Sequence, residues 1–65
     1  MNYYQTIYYK EDDYKNVKSI IKNNNGEIVG VEDESLYVKY ETKKDADNCY
    51  NKLYATDFIY GIDCE

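Results

Sequence analysis

The chain has 65 residues, which suits one small domain near the lower size limit for folding without a disulfide or a metal. Thirteen carboxylates outweigh eight lysines, the net charge is −5, and neither Arg nor His is present. An acidic chain is repelled by phosphate backbones, and a chain without His lacks the commonest general base and metal ligand. These features argue against a strong nucleic-acid binder and against an enzyme, so we predict no catalytic residue, no metal and no cofactor.

The chain begins with an aromatic, β-prone segment over residues 3–10. Its alternation places Ile7 and Tyr9 on a buried face, and the opposite face then carries Tyr4, Thr6 and Tyr8.

A first helix is predicted next. The acidic segment 11–13 would cap its start, and segment 23–26 would end it, with Gly26 in the left-handed conformation. An acid cluster at this place is also found in metal-dependent nucleases of similar architecture, but capping explains it better. The apolar stripe of the helix comprises Tyr14, Val17 and Ile20 or Ile21.

The second half of the chain contains a clear change of period. A second strand over residues 27–31 and a tip at 32–34 lead into a third strand, where Leu36, Val38 and Tyr40 alternate. A capping box of Thr42 and Asp45 then starts a second helix. Its stripe comprises Ala46, Cys49, Tyr50 and Leu53, and a fourth strand follows over residues 58–63.

The element order is therefore β-α-β-β-α-β within a single domain, residues 1–65. Such a split β-α-β arrangement predicts an α+β fold with a four-stranded antiparallel sheet of order 4-1-3-2 and both helices on one face. This is the ferredoxin-like sandwich, and it leaves the second face of the sheet open.

Cys49 lies on the helix stripe and is predicted to be a small core residue, whereas Cys64 could be exposed. No apolar leader follows Met1 and no long apolar run exists, so a cytoplasmic chain with reduced thiols and no membrane contact is expected. A disulfide between the two cysteines remains an open alternative.

The open face is predicted to bring Tyr8 and Tyr37 near one another, on the first and third strands. Lys39, Lys10 and Tyr4 would surround them. Such a platform suits stacking on unpaired bases, at about 1–3 kcal/mol for each base. The two tyrosines could equally form a cross-strand pair that only stabilises a small sheet.

The segment Tyr37-Val38-Lys39-Tyr40 resembles the second half of one signature of the RNA recognition motif family, and Ile7-Tyr8-Tyr9 resembles the start of that family's other signature. Asp45-Ala46 and Leu53 also match residues of that family's second helix. The resemblance implies the same fold and binding of single-stranded RNA. However, Asp33, Glu34 and Ser35 stand where the family begins its signature with a basic residue, a glycine and an aromatic. This departure favours the fold over intact RNA recognition.

The preferred hypothesis is a small acidic, non-enzymatic interaction protein that binds a basic protein through Glu32, Asp33, Glu34, Tyr37 and Tyr8. In style the chain resembles small phage or archaeal-virus anti-defence proteins, including anti-CRISPR inhibitors, which would place it in a host cytoplasm. The alternative is a weak single-stranded RNA or DNA binder that uses Tyr8, Tyr37, Lys39, Lys10 and Tyr4. An exposed aromatic face also makes a homodimer plausible.

Overall fold

Six regular elements follow one another in the predicted β-α-β-β-α-β order in a computed structural model that describes residues 1–65. The elements are β1 (Tyr3–Tyr9), α1 (Tyr14–Asn23), β2 (Glu27–Glu32), β3 (Ser35–Tyr40), α2 (Lys43–Tyr54) and β4 (Ile59–Cys64). A short 3-10 turn, Glu11–Asp13, joins β1 to α1. The predicted bounds of the first three strands differ from the observed ones by one residue at one end, and the fourth strand is shifted by one residue at both ends.

The four strands form one antiparallel sheet in the order β2-β3-β1-β4, which is the predicted order 4-1-3-2 read from the other edge. At the centre Ile7 of β1 lies opposite Leu36 of β3, and Thr6 lies opposite Tyr37. The predicted ferredoxin-like α+β architecture is confirmed.

The core lies between the two helices and one face of the sheet. The predicted alternation is confirmed, because Ile7 and Tyr9 are buried while Tyr8 between them is exposed. The core comprises ten buried residues, namely Ile7, Tyr9, Val17, Ile21, Leu36, Val38, Tyr40, Ala46, Cys49 and Leu53. Tyr50, predicted for the stripe of α2, lies outside this core, and its ring packs against Tyr54 at 4.7 Å between centroids.

The end of α1 differs from the prediction in the role of its glycine. Asn25, not Gly26, has the left-handed backbone, with φ of 62°. The Gly26 amide donates to Ile21 O at 2.9 Å and the Asn25 amide donates to Lys22 O at 3.2 Å. These are the two hydrogen bonds of a Schellman motif with Asn25 at C′. Gly26 is needed for space, since a Cβ there would lie 2.6 Å from Cγ2 of Ile21.

The helix starts follow the predictions only in part. No side-chain oxygen caps α1, and Asp13 instead donates its amide to Lys10 O at 2.8 Å within the 3-10 turn. Thr42 caps α2 as predicted, accepting from the Asp45 amide at 3.1 Å. The Asp45 carboxylate does not complete the capping box, because it accepts from the Asn25 side chain at 3.3 Å.

Both cysteines are free thiols, with Cys49 buried and Cys64 exposed. Neither helix has the length and apolar character that crossing a bilayer requires.

Candidate functional site

The open face of the sheet is built from strand residues that alternate with the core. Three rows of paired residues cross it: Glu32, Ser35, Tyr8 and Gly61 form the first row; Gly30, Tyr37, Thr6 and Asp63 the second; Glu27, Lys39 and Tyr4 the third. The predicted positions of Tyr4, Tyr8, Tyr37 and Lys39 on one face are therefore observed.

The tyrosines pair differently from the expectation. Tyr37 stacks on Tyr4, with 5.3 Å between ring centroids and 11° between ring planes. Tyr37 lies opposite Thr6, so Tyr4 and Tyr8 are both its diagonal neighbours, and the stack forms with Tyr4 rather than with Tyr8. Tyr8 keeps 40% of its surface exposed.

Carboxylates hold the hydroxyls of both tyrosines. The Tyr37 hydroxyl lies 3.0 Å from each carboxylate oxygen of Glu65, and the Tyr8 hydroxyl donates to Oδ2 of Asp63 at 3.1 Å. The hydrogen bond to Asp63 is the main cause that raises the pKa of Tyr8. Partial burial first and then the bond to Glu65 raise the pKa of Tyr37. Both phenols therefore remain neutral donors at physiological pH.

Asp63 and Glu65 are the residues of the candidate site that the sequence analysis missed. Asp63 reaches Tyr8 because it lies opposite Thr6 in the β1–β4 ladder, and that ladder contains a register shift between Tyr8 and Tyr9. The only signal in the sequence is their place near the fourth strand, which does not fix the register.

The lysines of the predicted nucleic-acid site are not brought together. Lys39 lies opposite Tyr4 and forms an ion pair with Glu27 at 3.7 Å. Lys10 follows β1 and lies with its Nζ 5.8 Å from the ring centroid of Tyr60. The six residue steps from Tyr4 to Lys10 span about 20 Å of extended chain, at about 3.3 Å per residue.

The residues of the predicted protein-binding site do lie together. Tyr8, Ser35 and the carboxylates Glu32, Asp33 and Glu34 line a surface depression of about 450 Å³. It continues into a hollow of about 500 Å³, lined by Thr6, Tyr8, Gly30, Val31, Glu32, Ser35 and Tyr37.

The hairpin tip that supplies two of these carboxylates is anchored to β1 by Tyr9. The Tyr9 amide donates to Glu34 O at 3.0 Å, and the Tyr9 hydroxyl donates to Asp33 O at 3.3 Å. Both bonds hold the backbone of the tip against the end of β1, so Asp33 and Glu34 lie near Tyr8. No three metal-ligating side chains converge here or elsewhere in the chain.

The charge of the open face is negative. Its strand positions and the adjoining Glu65 supply four carboxylates, namely Glu27, Glu32, Asp63 and Glu65, against the single ammonium of Lys39. Summed charges of one sign over a concave surface attract counter-charged groups. This face therefore favours cations over phosphates.

Comparisons with known proteins bear on the fold alone. No protein-family model matches the chain, and no curated protein matches it. Among solved structures, the chain is similar to the solution structure of the C-terminal domain of the MgtC protein from Mycobacterium tuberculosis. The TM-score is 0.60 at 10% sequence identity, over 98% of this chain and 84% of that chain. At this identity the similarity shows a shared small α+β fold.

Proposed function

We propose that the protein is a small, non-enzymatic interaction module whose open sheet face binds a basic surface on a partner protein. The observation that carries the proposal is a tyrosine-rich face surrounded by carboxylates, on which Lys39 is already paired with Glu27. Electrostatic complementarity of this kind directs association and specificity between proteins.

The narrower form of the proposal concerns the class of partner. A basic protein groove that holds nucleic acid is the natural complement of an acidic face, which would occupy the groove in place of phosphates. The small size and the net charge of −5 support such a role as an inhibitor, including an inhibitor of host defence in the manner of viral anti-CRISPR proteins.

Binding of single-stranded nucleic acid is the competing function, and the exposed ring of Tyr8 beside the Tyr4–Tyr37 stack favours it. The charges of the face oppose it. Four carboxylates, namely Glu27, Glu32, Asp63 and Glu65, would repel the phosphates of a nucleic acid, and the lysine on this face is already paired. A homodimer through this face would bring the same carboxylates of two copies together, which like-charge repulsion disfavours.

The test uses charge reversal with a matched control. The full chain and its Glu32→Lys/Asp33→Lys variant are used to capture proteins from nuclease-treated host lysate, and the captured protein is then purified for titration. The control Glu41→Lys/Asp57→Lys makes the same charge change at two exposed residues that do not line the depression. We expect a basic protein whose affinity falls about tenfold in the first variant, at up to about 1 kcal/mol per exposed charge pair, and changes little in the control.

Two results would refute the proposal. One is equal loss of affinity in both double variants, which would mean that only net charge matters. The other is capture of nucleic acid alone from a parallel lysate that is not treated with nuclease, together with oligouridine titrations that shift the Tyr8 and Tyr37 resonances and lose the effect in Tyr8→Ala. Analytical ultracentrifugation of the isolated chain tests the homodimer separately.

A further inference from the structure

One position on the open face of the sheet has no side chain. Gly30 of β2 lies opposite Tyr37, and the β2–β3 ladder shifts register between Ile28 and Gly30. A Cβ at Gly30 would lie 3.3 Å from Cβ of Tyr37. Glycine at a bulge often marks a place where another group approaches the backbone closely. Its missing side chain leaves room beside the rings of Tyr8 and Tyr37.

The resulting hollow has aromatic walls and an acidic rim. Tyr8 and Tyr37 line it together with Thr6 and Ser35, and Glu32 contributes a carboxylate at the side of the hairpin. Tyr37 contributes to the wall even though Tyr4 covers one face of its ring. Thus two rings, one carboxylate and two small polar side chains, together with Val31 and Gly30 of β2, surround a volume of about 500 Å³.

The hydrogen bonds of the tyrosines increase the affinity of the walls for cations. Each phenol donates a hydrogen bond to a carboxylate, Tyr8 to Asp63 and Tyr37 to Glu65. A phenol that donates to an anion gains electron density in its ring, and the negative ring face is the part that attracts a cation. Asp63 and Glu65 therefore act on the hollow through the rings and add negative charge beside it.

We propose that this hollow receives an arginine side chain of the partner, an inference that rests on the proposed function and names the group that the face recognises. A guanidinium is planar, stacks on tyrosine and donates two parallel hydrogen bonds to a carboxylate. A guanidinium that stacks against Tyr8 or Tyr37 and donates to Glu32 would use both the aromatic walls and the acidic rim of the hollow. A lysine ammonium is compact and cannot stack, and an apolar side chain would leave Glu32 unpaired.

The experiment titrates the full chain with the blocked peptide acetyl-Gly-Arg-Gly-amide and follows amide and tyrosine ring resonances by NMR. Peptides with lysine or with citrulline, the neutral isostere of arginine, serve as comparison ligands. Gly30→Val fills the hollow and Glu32→Gln removes the rim charge. Tyr60→Leu is the control, because Tyr60 is 68% exposed and does not line the hollow.

We expect saturable shifts at Tyr8, Gly30 and Tyr37 with the arginine peptide, and affinity about two- to fivefold weaker for citrulline, the range that an exposed cation–π contact supplies. Glu32→Gln should weaken arginine binding to a similar degree, Gly30→Val should abolish it, and Tyr60→Leu should leave it unchanged. Thermal unfolding checks that each variant is folded, and Gly30→Ala replaces Gly30→Val if valine is not tolerated.

Equal shifts with arginine and citrulline, or full binding in a folded Gly30→Val or Gly30→Ala chain, would overturn the inference. If these failures occur while the charge-reversed chain still loses its basic partner, the interaction proposal stands and the arginine site does not. If the arginine peptide binds as expected but no basic protein is captured, the interaction proposal fails by itself.

Discussion

Gly26 follows α1 at a point where the backbone crosses directly over the core. An added Cβ would lie 2.6 Å from Cγ2 of Ile21, and 3.0 Å from both Cε2 of Tyr40 and Cγ1 of Val38. These three side chains have no exposed surface, and the Cγ2 of a helical isoleucine has little freedom to rotate away. Gly26→Ala must therefore displace backbone or core.

The expected cost follows from two opposing terms. Overpacking a closed core costs about 1–3 kcal/mol. Alanine also reduces the conformational entropy of the unfolded chain, which stabilises the folded state by about 0.4–1 kcal/mol at a site where φ is not positive. The net loss is about 1–2 kcal/mol, which is large for a 65-residue domain with a free energy of unfolding of about 3–10 kcal/mol.

The assay is thermal and urea unfolding followed by circular dichroism. The net loss corresponds to a fall in Tm of about 4–16 °C. Gly61→Ala is the control, because its nearest contact would be the Tyr54 hydroxyl at an ordinary 3.8 Å, and its stability should be unchanged or slightly higher. If Gly26→Ala is as stable as the wild type, the steric explanation is wrong.

Two further predictions concern other parts of the core and its helices. Burial, and then the contact with Cys49, raises the pKa of Tyr40, so the folded chain retains this proton at pH values where the unfolded chain has lost it. The free energy of unfolding therefore declines as the pH rises above about 10, the ordinary pKa of tyrosine. Phenylalanine has no proton to lose, so Tyr40→Phe should move the midpoint of alkaline unfolding to higher pH in a titration followed by circular dichroism. A shift to lower pH would contradict this. Thr42→Ala removes the cap of α2 and should lower the free energy of unfolding of the domain by about 1 kcal/mol in urea titrations. Thr42→Ser retains the capping hydroxyl and should change this free energy little. Equal losses in both Thr42 variants would show that the hydroxyl is not the stabilising group.

The order of elements could be predicted because each element has its own periodicity. Leu36, Val38 and Tyr40 alternate on β3, and Ala46, Cys49 and Leu53 recur at helical spacing on α2, and all six are buried. The connection rules for split β-α-β units then leave few topologies. The sheet order followed from pattern and handedness without any knowledge of side-chain contacts.

The details that failed depend on contacts between residues distant in sequence. Asp45 resembles the second half of a capping box, but Asn25, twenty residues earlier, takes its carboxylate. Gly26 resembles a left-handed helix end, but the space beside Ile21 determines the need for glycine. Local patterns describe what a residue can do, and packing selects among those options.

The tyrosines and Glu32 of the candidate site could be predicted from the sequence, whereas the hydrogen-bond partners of the tyrosine hydroxyls, Asp63 and Glu65, could not. The period of two places Tyr8 and Tyr37 on one face, and the turn places Glu32 beside them. The partners of the tyrosine hydroxyls depend on the register of β4, which a shift between Tyr8 and Tyr9 alters. The hollow at Gly30 likewise depends on a bulge in β2, which a glycine inside a strand pattern can suggest but whose register it does not fix.

The open face contributes to the stability of the sheet as well as to the proposed binding site. Two helices cover only one side of the sheet, so the other side needs side chains that pack on the strands and remain wetted. Tyrosines meet both needs, and their bonds to Asp63 and Glu65 tie β4 and the residue after it to β1 and β3. Tyr37 therefore contributes to stability as well as to the proposed binding site, and its substitution is expected to affect both. Glu32 makes no hydrogen bond or ion pair in this network, so a variant there separates binding from folding more cleanly than one at Gly30, where an added Cβ would lie 3.3 Å from Cβ of Tyr37.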